Sequence, residues 1–255
     1  MRTNLIKPEN ISEAKSKTSN DGMLDMVIAF DTTGSMAGCI RSVKEYVTEL
    51  VPKLFAVNPN LRLGVVAFGD YCDVKSQHEF GKAYQVLDLT CDEHEIIEFI
   101  SKAENTYGGD SSEFYELVIK KITEETSWRE GSVKSVLLIA DATPHEVGYS
   151  YGNRVRNNKI DWRAEAKKAA EKGIKFDTLS IGDSQWFTEL SEMTNGVHSP
   201  FSTGSKTPQL VEVAALSRGG ENAKALYKAN YQKFVEEGDM EMIDVYSEYS
   251  KEALC

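Results

Sequence analysis

Asp31, Thr33 and Ser35 stand at alternating positions directly after the apolar run Met26 to Phe30, with Gly34 between the two hydroxyls. A carboxylate and two hydroxyls above a strand end can converge on one divalent cation. Magnesium takes six oxygens at roughly 2.0–2.1 Å and keeps several waters. A shell with one carboxylate and two neutral hydroxyls leaves the ion electrophilic, so an Asp or Glu side chain from a partner can complete it. Two further stretches can contribute, directly or through water. Asp141 ends a second apolar run, Ser132 to Ala140, and Gly108-Gly109-Asp110 is a loop whose glycines permit close backbone approach.

Other chemistries fit these residues less well. A phosphoryl-accepting aspartate of the haloacid-dehalogenase type needs D-x-D, and Thr33 fills the second acidic place. Ser35 lacks the G-x-S-x-G turn of a hydrolase nucleophile, because Thr33 replaces the first glycine. Gly34-Ser35 lacks the lysine of a phosphate-binding loop. The hydroxyls alone would also serve as a helix cap. His78, His94 and His198 form no H-x-x-x-H pattern, which disfavours a zinc enzyme. Asp70 reads as a turn residue beside Gly69, and His145 as an exposed loop histidine.

The elements that must position this set alternate between strand and helix. Leu24 to Phe30 reads as a strand buried on both faces, followed by a helix with Ile40, Val43, Val47, Leu50 and Leu54 on one stripe. Leu61 to Phe68 is a second strand. His78 to Phe80 and Tyr84 to Leu89 predict a hairpin around Gly81-Lys82 at the sheet edge. Helices are predicted over Asp92 to Ala103 and Glu113 to Thr126, the latter capped by Ser111 or Ser112. The strand Ser132 to Ala140, a helix from Asp161 and the strand Ile174 to Ile181 follow. A short helix, an edge strand over Gly196 to Pro200 and three closing helices complete the chain. The pattern predicts an α/β fold: a doubly wound, mostly parallel central sheet with helices on both faces and one antiparallel edge strand. Ligands of such sheets bind beyond the carboxyl ends of the strands, where strand order reverses. The chain divides into a polar arm over 1–22, a main domain over 23–218 and a helical extension over 219–255. The extension's aromatics, Tyr227, Tyr231, Phe234, Tyr246 and Tyr249, read as packing against the main domain.

A formal net charge of -11 argues against binding nucleic acid or an anionic membrane, both of which need basic surface. Cys39, Cys72, Cys91 and Cys255 form no C-x-x-C pair, so reduced thiols and a cytoplasmic location are expected. No signal peptide or membrane span is legible.

The set D-x-T-x-S after the first strand, a Gly-Gly loop before a later helix and a strand ending in Asp141 resembles the von Willebrand factor type A domain, over roughly Leu24 to Ser217. Phe68-Gly69-Asp70-Tyr71 and Asp141-Ala142-Thr143-Pro144-His145 resemble its intracellular, alpha-kinase-associated branch. The resemblance implies a metal-ion-dependent adhesion site in which Thr33 and Ser35 bind the ion directly, and Asp31 and Asp141 directly or through water. The family's loop ligand is usually Thr. Asp110 holds that place here, with Ser111 and Ser112 beside it, and the sequence leaves open which of the three serves. The resemblance further implies Mg2+, with Mn2+ or Ca2+ as substitutes, and a protein partner presenting Asp or Glu. It implies a non-catalytic scaffold or regulatory role, in assemblies that include kinases or AAA-type ATPases. The rival reading from another class is a metal-dependent phosphate-ester hydrolase built on the Asp31 centre, disfavoured because no general base or cationic phosphate clamp is legible beside it.

Overall fold

The computed structural model describes residues 22–76, 79–182, 184–201 and 206–253. The predicted arm over 1–22 lies outside them except for Gly22, as do His78 and Cys255. Strand β1 (Leu24–Asp31) is buried at every position, as a mid-sheet strand apolar from Met26 to Phe30 should be. It pairs in parallel with β2 (Leu61–Phe68) on one side and β5 (Val133–Ala140) on the other, with Asp31 opposite Phe68 and Phe30 opposite Ile139. Strand β3 (Tyr84–Thr90) runs antiparallel to β2 at one edge. Strands β7 (Ile174–Ile181) and β8 (His198–Phe201) extend the sheet beyond β5, both parallel. The order is therefore β3-β2-β1-β5-β7-β8, and the mostly parallel sheet with one antiparallel edge strand agrees with the sequence pattern.

Side-chain alternation along β1 sorts the core into two layers. Leu24, Met26, Ile28 and Phe30 face helices α1 (Ala37–Val57), α2 (Glu93–Lys102) and α6 (Thr207–Arg218). Helices α7 (Glu221–Glu237) and α8 (Met240–Ala253) belong to the same layer through Tyr227, Met242, Val245, Tyr246 and Tyr249. Val27 and Ala29 face α3 (Tyr115–Glu125), α4 (Trp162–Glu171) and α5 (Gln185–Met193) on the other side. The stripe Ile40, Val43, Val47, Leu50 and Leu54 is buried in full. Among the described residues no helix is long and apolar enough to cross a membrane.

Two local expectations change. The predicted hairpin around Gly81-Lys82 is instead a single 3-10 turn, Gly81–Ala83, in which Gly81 takes φ +54° and Ala83 N donates to Phe80 O. Only the Tyr84–Thr90 half becomes a sheet strand, and His78, which begins the other half, lies outside the described residues. Helix α3 begins at Tyr115, not Glu113, because Ser112–Glu113 forms a two-residue strand, β4, paired in parallel with β6 (Thr143–Pro144).

Polar anchors fix the sheet at the end opposite the Asp31 turn. Asp25, fully buried, accepts from Arg62 Nη2 (2.8 Å), Arg129 N (2.7 Å), Arg129 Nε (2.8 Å) and Ser132 Oγ (3.0 Å). These donors tie the starts of β1, β2 and β5 together. Farther along, Asp177 in β7 accepts from Arg218 Nε (2.9 Å) at the end of α6 and from Val197 N (2.8 Å). Burial pushes the Asp25 carboxyl up, but the bonds from Arg62 and Arg129 outweigh it and hold the group below the usual carboxylate range. A depressed folded value contributes stability above the unfolded value, about 4, and loses it as pH falls through the folded value. The stability gap between the wild type and Asp25→Asn, read by urea unfolding, is thus widest near neutrality and narrows below about pH 4. A gap of constant size between neutral and strongly acidic pH would contradict this account.

Candidate metal centre

Strand β1 delivers Asp31, wholly buried, to the carboxyl end of the sheet between β2 and β5, where strand order reverses. Its Oδ1 accepts from Thr33 N (2.8 Å) and Thr33 Oγ1 (2.6 Å), and its Oδ2 accepts from Tyr115 Oη (2.6 Å). The proton of Thr33 is therefore committed to Asp31, which leaves the hydroxyl lone pairs to face a cation. Asp31 orients Thr33, and its own oxygens already carry donors. Ser35 follows on the exposed 3-10 turn Gly34–Met36, closed by Met36 N on Thr33 O (3.1 Å).

Neighbouring loops are locked around this turn. Thr32 Oγ1 donates to Phe68 O (2.7 Å) and lies 2.9 Å from Thr106 Oγ1. Thr106 presses so closely on Gly69 that a Cβ there would stand 2.4 Å from its hydroxyl. Asp70 caps the 3-10 turn Tyr71–Asp73, and the Asp73 carboxylate then takes the amides of Tyr107 (3.1 Å) and Gly108 (3.2 Å). Gly108 has φ +70°, and a Cβ there would lie 2.7 Å from Glu113 Oε1 and 3.4 Å from Thr33 Cγ2. Gly108 therefore lies between Thr33 and the buried carboxyl of Glu113. The pairing of β4 with β6, with Ser112 Oγ 2.9 Å from Thr143 Oγ1, sets this loop beside the segment after Asp141. Tyr115 bridges the same gap, since its hydroxyl also accepts from Ala142 N (3.3 Å).

Negative charge is concentrated here. Burial, with a contribution from Asp141, pushes the Asp31 carboxyl up to about 6 against the donors Thr33 and Tyr115. Burial likewise pushes the Glu113 carboxyl up to about 10, reinforced by the charges of Asp31, Asp70, Asp73 and Asp110. Asp141 Oδ1 and Glu113 Oε2 are sealed from solvent, and neither has a hydrogen-bond partner among the described residues. Buried acceptors without donors are costly and uncommon. Hydroxyl and carboxylate oxygens with unspent acceptor capacity are what a hard divalent cation binds, so the residues present fit such an ion.

Of the five residues singled out by sequence, the structure gathers Asp31 and Thr33 in direct contact, with Asp141 close enough for its charge to act on Asp31. Ser35 stands two residues from Thr33 on the exposed turn. Asp110 has partners of its own: its Oδ2 accepts from Tyr149 Oη (2.9 Å), its Oδ1 accepts from Ser112 N (2.9 Å), and it joins Asp70 and His145. His145 is not exposed. It is 3% accessible, its Nε2 lies 2.6 Å from Asp70 Oδ1, and its ring stacks on Tyr149 at 3.6 Å. Asp70 is a fully buried partner as well as a turn residue. Both loops fold inward because Glu116, buried in α3, accepts from His145 N (3.2 Å), Tyr71 Oη (2.9 Å) and Asn158 Nδ2 (3.0 Å). Sequence reasoning passed over Glu113 and Tyr115. A helix begun at Glu113 would have put that acid on the core face with Leu117, four residues on, and this conflict was the legible signal.

The fold and this turn define a doubly wound α/β domain with a cluster of oxygen donors at its switch point. Residues 25–214 match the von Willebrand factor type A domain, and the chain belongs to that family. A putative ariadne-like RING finger protein of Acanthamoeba polyphaga mimivirus is 24% identical over 194 residues, 69% of this chain; the chain spans 18% of that relative's length. Among solved structures, the open conformation of the pilus adhesin SpaC of Lactobacillus rhamnosus GG gives a TM-score of 0.55 at 14% identity, covering 81% of this chain and 31% of the adhesin. Proximal thread matrix protein 1 of the mussel byssus gives 0.53 at 18% identity, covering 76% of this chain and 48% of its own. At such identities the likeness is one of fold.

Tyr115→Phe keeps the ring, stacked on Trp186 at 5.0 Å, and removes only the hydroxyl that serves Asp31 and Ala142. It is expected to lower the unfolding free energy by about 1–3 kcal/mol in chelator-treated protein. Unchanged stability in denaturant titrations would show that the bridge contributes nothing.

Proposed function

We propose that this chain is a metal-dependent protein-interaction module that binds a partner's carboxylate through a divalent cation, magnesium in the first instance. Thr33 and Ser35 would hold the ion directly, Asp31 and Asp141 directly or through water, and Glu113 from the loop side. The observation that carries the reading is the pair of buried, donorless oxygens, Asp141 Oδ1 and Glu113 Oε2, beside a threonine whose proton is taken by Asp31. The ion would supply an electrophilic position for an Asp or Glu of the partner. An open groove lined by Asp110, Thr143, Val147, Trp162, Arg163 and Trp186 adjoins Asp110 and gives a partner segment somewhere to lie.

The role is that of a scaffold or regulatory subunit rather than an enzyme, and the likeness of Phe68–Tyr71 and Asp141–His145 to the alpha-kinase-associated branch supports an intracellular assembly. Turnover of a generic phosphate ester with added magnesium, lost in Asp31→Ala, would favour the hydrolase instead.

Binding to the folded state alone raises stability by about 2.7 kcal/mol at a hundredfold excess over the dissociation constant. Magnesium or manganese added to chelator-treated protein should therefore raise the melting temperature and give a saturable calorimetric isotherm. Both effects should vanish in Asp31→Ala and in Asp141→Ala, with circular dichroism showing that the fold survives. A wild type that neither binds nor is stabilised by millimolar metal would sink the metal reading.

A further inference from the structure

Asp70, Asp110 and His145 form a second cluster that the Asp31 centre does not use. One ligand-capable atom of each lies within 4.8 Å of the others. They come from three separate loops, those after β2, before β4 and after β6, so the convergence is a product of tertiary folding. The His145 ring is held in place by the stacked Tyr149, whose hydroxyl also binds Asp110. Metal-binding histidines and carboxylates are commonly fixed by such supporting partners. Asp110, His145 and Tyr149 line the open groove, so the cluster has a way in from solvent.

Two of the three ligand atoms already meet inside the protein: Asp70 and His145 are both buried, and His145 Nε2 lies 2.6 Å from Asp70 Oδ1.

We propose that Asp70, Asp110 and His145 form a second metal site, specific for a transition-metal dication of the zinc class and separate from the magnesium site at Asp31. The chemical distinction lies in the imidazole. Neutral imidazole nitrogen suits zinc and its neighbours, whereas hydroxyl and carboxylate oxygens suit magnesium. Zinc takes nitrogen and carboxylate oxygen at roughly 2.0–2.2 Å, usually as four ligands. Three protein ligands leave the fourth position, facing the groove, for water or a partner side chain. On binding, the ion takes the place of the proton that lies between Asp70 Oδ1 and His145 Nε2, and that proton moves to Nδ1 or is released to solvent.

The test uses the whole chain in excess magnesium chloride, with zinc chloride added and bound zinc measured by equilibrium dialysis and elemental analysis. The wild type and Asp31→Ala should each retain zinc with the same affinity. His145→Gln should lose it. Because His145 is buried, Asp110→Ala is the deciding variant: Asp110 is exposed, so the fold persists, and all four cysteines remain. Its zinc affinity should fall by at least the roughly 10–100-fold that loss of a supporting partner alone costs at a metal site. Three results would overturn the proposal: no saturable zinc binding by the wild type, unchanged affinity in Asp110→Ala, or loss of zinc in Asp31→Ala. The last would place zinc in the first centre. Failure of the magnesium reading shows separately, in the calorimetric titration.

Discussion

The hydrogen bond from Tyr115 to Asp31 joins the two halves of the sheet at the end where a ligand would sit. Asp31 ends β1, Tyr115 opens α3 on one face, and the same phenol receives the amide of Ala142 just past β5. One side chain thus spans the crevice created by the reversal of strand order. With Thr33 on its other oxygen, Asp31 has no remaining freedom to swing outward. The turn therefore presents Thr33 and Ser35 from a rigid base, and whatever binds there meets a preformed arrangement.

Around that base the protein accumulates carboxylates, and among the described residues none of them is in an ion pair with an arginine or lysine. The arginines that neutralise buried aspartates sit elsewhere, on Asp25 at the opposite end of the sheet and on Asp177 under α6. Where the arginines pair, the acids are structural. Where hydroxyls, an imidazole and other carboxylates surround them, the acids remain electrostatically unfinished. This difference within one molecule separates the anchoring end of the sheet from the end suited to ligands.

Much of the scaffold was legible in the sequence because it rests on local apolar pattern. The largely apolar runs ending at Asp31, Phe68 and Ala140 and the stripe from Ile40 to Leu54 map directly onto the sheet and α1. The turn Asp31-Thr33-Ser35 was legible for the same reason, being a short segment at a strand end. What escaped was non-local. That Glu113 is buried beside Gly108 depends on the pairing of Ser112–Glu113 with Thr143–Pro144, thirty-odd residues away in the chain. His145 looked exposed because it lies in a polar loop, and only Glu116 and Asp70, from two other elements, draw it in. A turn at Gly81-Lys82 was legible, but not that it would close as a 3-10 turn, Ala83 N on Phe80 O, instead of pairing two strands.

The last helices have a consequence for biosynthesis. Met242, Val245, Tyr246 and Tyr249 fill the layer that begins with Leu24 and the stripe of α1, and α8 packs on α6, α7 and β8. A nascent chain emerging from the ribosome would therefore leave the surface of α6 and β8 that α8 covers exposed until nearly the whole of the described sequence had been synthesised. The opposite face closes earlier, once α5 has emerged. Folding during translation is thus staggered: the layer of α3, α4 and α5 can consolidate while the apolar side of α6 waits for α8, and that waiting surface is the one a chaperone would hold.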